Sequence, residues 1–258
     1  MPLPDFVIIG AMKCGTSTLA AQLAAQEGVF ITTPKEPEFF SDDAVFARGL
    51  AWYENLYADA ALGDLKGEAS TGLTKLPTHP HAAERLHAAV PDAKLIYITR
   101  DPIERLISHY MHEWSMGTID LPIEEAVERH PELIDYGRYE MQLAPWRALF
   151  GEARILRLTL EDMQAEPQET LDRVAAFLGR PNAFAWQEDR AQVNASAERL
   201  RKFPLYGPLI TSRPAEVLRR ALVPKRLREA VKARLRMETR PSLPEDVRER
   251  LSRRLAGV

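Results

Sequence analysis

The stretch F6-V-I-I-G-A-M-K-C-G-T-S17 decides how the chain is read. Four apolar residues run into a turn with two glycines, and three hydroxyl residues follow. In the phosphate-loop pattern G-x-x-x-x-G-K-[ST], Gly10 and Gly15 take the glycine positions and Ser17 the hydroxyl position. The lysine slot holds Thr16 instead, and a lysine stands earlier, at Lys13. Phe6–Ile9 reads as a short buried strand and Thr16–Gln26 as a helix. A strand–turn–helix unit of this kind leaves backbone N–H groups and the positive helix end facing one point, which makes an anion site. Thr16, Ser17 and Thr18 add hydroxyl donors there, and Lys13 adds a full charge.

Outward from this unit, strands and helices alternate. Val29–Thr32 reads as a second strand, Phe46–Tyr57 as a helix, and Gly63–Ser70 contains a strand end. His81–Val90 reads as a helix. A93-K-L-I-Y-I-T99 is a near-continuous apolar run of the kind buried in a parallel sheet. Asp101 and Pro102 then form a helix start, as N-cap and first helical residue, for a helix running to about Met116. Arg138–Phe150 reads as helix, Arg154–Leu160 as strand and Pro167–Leu178 as helix. This order predicts an α/β fold with a mostly parallel sheet. Beyond Gly179 no strand is evident. The segment to Pro214 is irregular, and two or three basic amphipathic helices end the chain.

Composition bounds the function. The chain has 258 residues, net charge -3 and 28% charged residues, which gives no reason to expect nucleic-acid binding. The charge is uneven. Residues 213–258 hold 14 Lys/Arg against 6 Asp/Glu, so that stretch carries +8 and the remainder −11. Such a tail can touch a membrane surface, an acidic partner or an anionic substrate, or it can simply present solvated helix faces. No run approaches the ~20 apolar residues of a membrane span. The single cysteine, Cys14, allows no intrachain disulfide and fits a reducing compartment, so the chain reads as cytosolic. Cys14 itself reads as a small loop residue that contributes its N–H. His109 and His112 read as part of a polar helix face.

The misplaced lysine argues against a metal-dependent nucleotide hydrolase, in which lysine follows the second glycine. The best strand ends in Thr99 and Arg100 rather than in a metal-holding aspartate. Arg100, at the C-terminal end of that strand, carries a planar fork of donors suited to phosphate. Ser108 on the following helix is placed to join it. Two separated anion sites suit a ligand with two anionic groups.

Taken in order, F6–S17, K35-E-P-E-F-F40, G67-E-A-S70 and I98-T-R-D-P-I-E-R105 with Ser108 resemble the sulfotransferases that use 3′-phosphoadenylyl sulfate (PAPS). The heparan-sulfate-type branch and its bacterial relatives are most similar. G137-R-Y-E-M-Q-L-A-P-W146 resembles bacterial members, and the likeness covers about residues 6–180. It implies a P-loop-containing three-layer α/β fold and one sulfotransferase domain over 1–258, with a PAPS-binding core at 1–180 and a helical extension at 181–258. It implies that Lys13, Cys14, Gly15, Thr16, Ser17 and Thr18 hold the 5′-phosphosulfate, Lys13 beside the leaving-group oxygen. Arg100 and Ser108 would hold the 3′-phosphate, and PAP would be released without a metal.

Glu36 matches the general base of that branch. Glu68 is the second candidate, and Glu38 stands next to Glu36 as a competitor. Phe39, beside Glu36, is a candidate for the acceptor pocket. Several heparan-sulfate-type enzymes carry a lysine after the glutamate where this chain has Ala69, which leaves a second catalytic lysine unassigned. Arg199, Arg201 and Lys202 are candidates for a loop closing over the nucleotide. The acceptor stays open among sugar, lipid, small phenol, polyketide and peptide. A P-loop kinase or hydrolase and a non-catalytic nucleotide-binding scaffold stand as the rival readings.

Overall fold

The computed structural model describes residues 3–190, 237 and 239–256. Five strands form one sheet: β1 (Phe6–Gly10), β2 (Val29–Ile31), β3 (Leu65–Ala69), β4 (Lys94–Thr99) and β5 (Ile155–Thr159). Their order is β2-β3-β1-β4-β5. The predicted mostly parallel α/β sheet is present, and every pairing among the described residues is parallel. The apolar runs explain why. Every residue of β1 is buried, and so are Leu95–Ile98 in β4, as expected for strands covered on both faces. Fully burying a side chain the size of Ile8 or Ile96 contributes about 1.5–3 kcal/mol.

The helices α1 (Thr16–Ala24), α4 (Ala82–Ala89), α5 (Pro102–Met116), α8 (Tyr139–Phe150) and α10 (Pro167–Leu178) fall where the periodicity predicts them. The predicted cap of α5 is also present. Asp101 Oδ1 accepts the N–H of Glu104 at 2.8 Å, and Pro102 occupies the first turn. One expected helix is broken in two. Phe46–Tyr57 becomes α2 (Asp43–Phe46) and α3 (Leu50–Asn55) because Gly49, at φ 84°, turns the chain between them. Three short helices had no sequence signal: α6 (Ile123–Arg129), α7 (Glu132–Asp135) and α9 (Leu160–Ala165).

The last described element, α11 (Glu245–Ala256), is the basic C-terminal helix, and it is anchored. Val247, Leu251 and Leu255 recur every four residues and are buried. They join Leu106 and Ile107 of α5, Val127 of α6 and Leu133 of α7 in a second apolar cluster beside the main core. Its charged side pairs with the core: Arg250 and Arg254 reach Glu128 at 3.4 Å, and Arg248 reaches Glu104 at 3.2 Å. Part of the charge asymmetry between tail and core is thus neutralised inside the molecule. His109 also departs from expectation. It is 2% exposed, stacked on Tyr136 and 3.5 Å from Glu113, because its face of α5 turns into this packing. Arg199, Arg201 and Lys202 lie outside the described residues.

Candidate active site

In an all-parallel sheet the strand C-termini share one edge. The loop after β1, the segment after β2, the turn after β3 and Arg100 after β4 all emerge there. After β1 the chain leaves toward β2, whereas after β4 it leaves toward β5, and these two strands are neighbours. Ligand sites of open α/β sheets form at such a reversal.

The loop is shaped by what surrounds it. Ala11 donates its N–H to the Ile98 carbonyl at 2.8 Å, which fixes the loop mouth to β4. A Cβ on Gly10 would overlap Thr74 Oγ1, whose hydroxyl donates to the Ile9 carbonyl at 2.7 Å. Gly15 is left-handed at φ 89°, and a Cβ there would lie 2.7 Å from Met163 and 2.8 Å from Leu160. Both glycines are therefore required by geometry and packing. Lys13 is left-handed as well, at φ 69°. Gly15 is the N-cap of α1, so the first-turn N–H groups of that helix face out of the sheet edge.

The segment after β2 keeps following β3: Thr32 donates to the Gly67 carbonyl at 3.1 Å, and Ala69 donates to the Lys35 carbonyl at 3.2 Å. This extension carries Lys35 and Glu36 to the loop. Lys35 Nζ donates to Ser17 Oγ at 3.0 Å and meets Glu36 Oε1 at 2.7 Å. Glu36 Oε2 accepts from the Thr71 hydroxyl at 2.9 Å and the Thr71 N–H at 3.2 Å. Burial alone would raise the Glu36 carboxyl. The Lys35 charge, with hydrogen bonds from Lys35 and Thr71, outweighs burial and holds it below the usual carboxylate range.

The other carboxylates are differently placed. Glu38, left-handed at φ 58°, accepts from Ser41 Oγ at 2.5 Å. Glu68 is 1% exposed and faces the interior, where burial pushes its carboxyl up to about 8. Phe39 lies in the core, 2% exposed and stacked 4.8 Å from Tyr53 among Phe40, Phe46 and Trp52. Its ring is taken up by that aromatic packing, so the acceptor-pocket expectation for Phe39 does not fit its position.

At the second anion element, Arg100 approaches Glu104 at 3.7 Å. Glu104 also meets Arg240 and Arg248, so three guanidinium groups surround one carboxylate. Ser108 lies further along α5 and is half-buried. The tie between the two anion elements had no sequence signal. The Tyr139 hydroxyl donates to the Arg100 carbonyl at 2.9 Å, accepts the Arg100 N–H at 3.3 Å and touches Cys14 Sγ at 3.6 Å. One side chain on α8 thus joins the loop after β1 to the end of β4. Cys14 itself is fully buried, and burial pushes its thiol up to about 11, so it stays protonated and structural. Beneath lies Arg105, fully buried, donating to the Leu133 carbonyl.

Tyr139→Phe removes both contacts to Arg100. The expected result is a stability loss of about 1–3 kcal/mol, from one or two hydrogen bonds and the polar backbone left behind. A urea titration followed by tryptophan fluorescence checks it, and an unchanged midpoint contradicts the tie.

Comparison with known proteins places this geometry. The sulfotransferase domain family matches residues 3–237. Mouse heparan sulfate glucosamine 3-O-sulfotransferase 3B1 is 34% identical over 190 residues, covering 69% of this chain and 46% of that protein. Human heparan sulfate glucosamine 3-O-sulfotransferase 6 is 32% identical over 188 residues, covering 68% and 52%. The chain thus spans about half the length of these relatives. A solved sulfotransferase from Alicyclobacillus acidocaldarius superposes with a TM-score of 0.63 at 26% identity, covering 74% of this chain and 89% of that one. The phosphate-type loop, the second anion element and these likenesses agree: the chain belongs to the sulfotransferase domain family.

Proposed function

We propose that this chain transfers a sulfuryl group from PAPS to an acceptor hydroxyl and releases PAP. The observation that carries this reading is the pair of cationic elements on adjacent strand ends, after β1 and after β4, joined through Tyr139. A ligand with a 5′-phosphosulfate and a 3′-phosphate calls for two such sites held at fixed spacing. The residues fit the ligand. Lys13 and the first turn of α1, with Thr16, Ser17 and Thr18, suit the phosphosulfate; Arg100 and Ser108 suit the 3′-phosphate.

Sulfuryl transfer resembles phosphoryl transfer in outline: an acceptor oxygen attacks in line, and charge grows on the departing phosphate. Lys13, the α1 amides and the loop hydroxyls supply fixed positive potential at that place. Glu36 takes the acceptor proton. It stands half-buried at the loop, whereas Glu68 has almost no exposed surface, so Glu36 is the base we assign. By likeness to relatives named as glucosamine 3-O-sulfotransferases, we take the acceptor to be a sugar hydroxyl.

A thermal-shift panel with PAP, ATP and AMP tests the donor. PAP is expected to stabilise selectively, by about 2.7 kcal/mol at a concentration 100 times Kd. Arg100→Ala is expected to weaken PAP binding about 10- to 150-fold, the equivalent of one charged hydrogen bond at roughly 1.5–3 kcal/mol. AMP binding should change little. Stabilisation by ATP with none by PAP contradicts the reading, and an Arg100→Ala protein that binds PAP normally shows the second site to be misplaced.

A further inference from the structure

We propose that Lys35 is a coupling residue that passes its charge from Glu36 to the bound donor, so that the base is released only when the donor is in place. The inference rests on the donor and base assignments above and adds a role for a residue to which the sequence reading assigned none.

Lys35 Nζ touches two partners that belong to the two halves of the reaction. One is Ser17 Oγ at 3.0 Å, in the first turn of α1, on the donor side. The other is Glu36 Oε1 at 2.7 Å, on the acceptor side. An ammonium group has three donors and no acceptor, so it can hold both at once and can trade one for a stronger anion. Glu36 in turn has both oxygens engaged, Oε1 by Lys35 and Oε2 by the hydroxyl and N–H of Thr71. A carboxylate held by a cation and two hydrogen bonds is a poor proton acceptor. As the structure stands, Glu36 is parked.

Ser17 fixes where Lys35 goes next. Its hydroxyl lies at the positive end of α1, where a phosphosulfate is drawn by the amides and Lys13. An anionic group there lies within reach of the ammonium that Ser17 already binds. Lys35 then turns from Glu36 toward the donor oxygens, and Glu36 Oε1 is left open for an acceptor hydroxyl. During transfer the acceptor O–H proton passes to Glu36 Oε1 and the acceptor oxygen bonds to sulfur. The sulfur–oxygen bond to the phosphate breaks, and its electron pair stays on that phosphate oxygen, giving PAP.

The test needs no acceptor. PAP is titrated by calorimetry into the wild type, Glu36→Gln, and the double variant Lys35→Met with Glu36→Gln. Glu36→Gln removes the competing carboxylate, so it is expected to bind PAP more tightly than the wild type. The double variant is expected to bind about tenfold or more weaker than Glu36→Gln alone, the scale of one charged hydrogen bond. Restoring charge with Lys35→Arg in the Glu36→Gln background should recover part of that loss. Comparison within this background removes the alternative that Lys35 only neutralises Glu36. If the double variant binds PAP as well as Glu36→Gln does, Lys35 is a partner of Glu36 alone and the coupling is refuted, with the donor assignment intact. If the wild type binds no PAP, the donor assignment and the coupling fall together.

Discussion

Glu36→Gln is expected to lower turnover by about 10²–10⁴-fold while PAP binding is retained, the effect of removing a general base from a site that still positions its substrates. The assay is PAPS-dependent sulfation of a panel of glucosamine-containing oligosaccharides, with PAP release measured in parallel. The size of the effect follows from geometry. Glu36 is the carboxylate joined to the donor loop through Lys35 and Ser17, and it is held in place by Thr71 at the start of the turn after β3. The substituted amide keeps the shape and the Thr71 contact but cannot take a proton, so the loss should appear in kcat. Glu68→Gln is the control. Glu68 is 1% exposed and faces Tyr53, so replacing it with the uncharged amide should change turnover by much less than tenfold. Equal losses in the two variants would move the base to Glu68 or share the task between both. A normal rate in Glu36→Gln would show that the acceptor proton leaves by another route.

The contrast between these two glutamates shows what sequence carries and what it does not. Both lie in short motifs, K35-E-P-E-F-F40 and G67-E-A-S70, and nothing in either stretch says which side chain faces the loop. The pleat of β3 turns Glu68 inward, and the extension of β2 past Thr32 brings Glu36 outward. The strands were legible because Phe6–Ile9 and Leu95–Ile98 are continuous apolar runs. The loop was legible because Gly10 and Gly15 must lack side chains against Thr74, Met163 and Leu160. Helices α6, α7 and α9, of 7, 4 and 6 residues, were not legible. Segments so short are marginal alone and form because tertiary packing covers them. Phe39 looked like a pocket residue by adjacency to Glu36, yet its ring turns into the aromatic core. The contacts of Tyr139 span 39 residues to Arg100 and 125 to Cys14, a relation that no local pattern contains.

Glu68→Gln should remove a large pH dependence from the stability of the protein. Burial, foremost, and the nearby Glu38 and Glu36 charges push the Glu68 carboxyl up to about 8. Its Oε2 has no hydrogen-bond partner among the described residues. The folded-state pKa lies above the unfolded one, near 4.5. The folded protein therefore holds a proton that the unfolded chain gives up, and stability falls as pH rises between those values. The slope is about 1.4 kcal/mol per pH unit, so the loss reaches roughly 4 kcal/mol by pH 8 and then levels off. The amide side chain of the variant mimics the neutral carboxyl and abolishes this contribution. Urea unfolding at pH 5, 6, 7 and 8 should show the variant gaining on the wild type steadily with pH, and parallel profiles would refute a raised carboxyl. The same proton bears on the donor site. A neutral Glu68 keeps one negative charge away from Glu36 and from a loop built for a polyanion, so PAP affinity should weaken as pH passes through about 8 in the wild type and weaken less in Glu68→Gln.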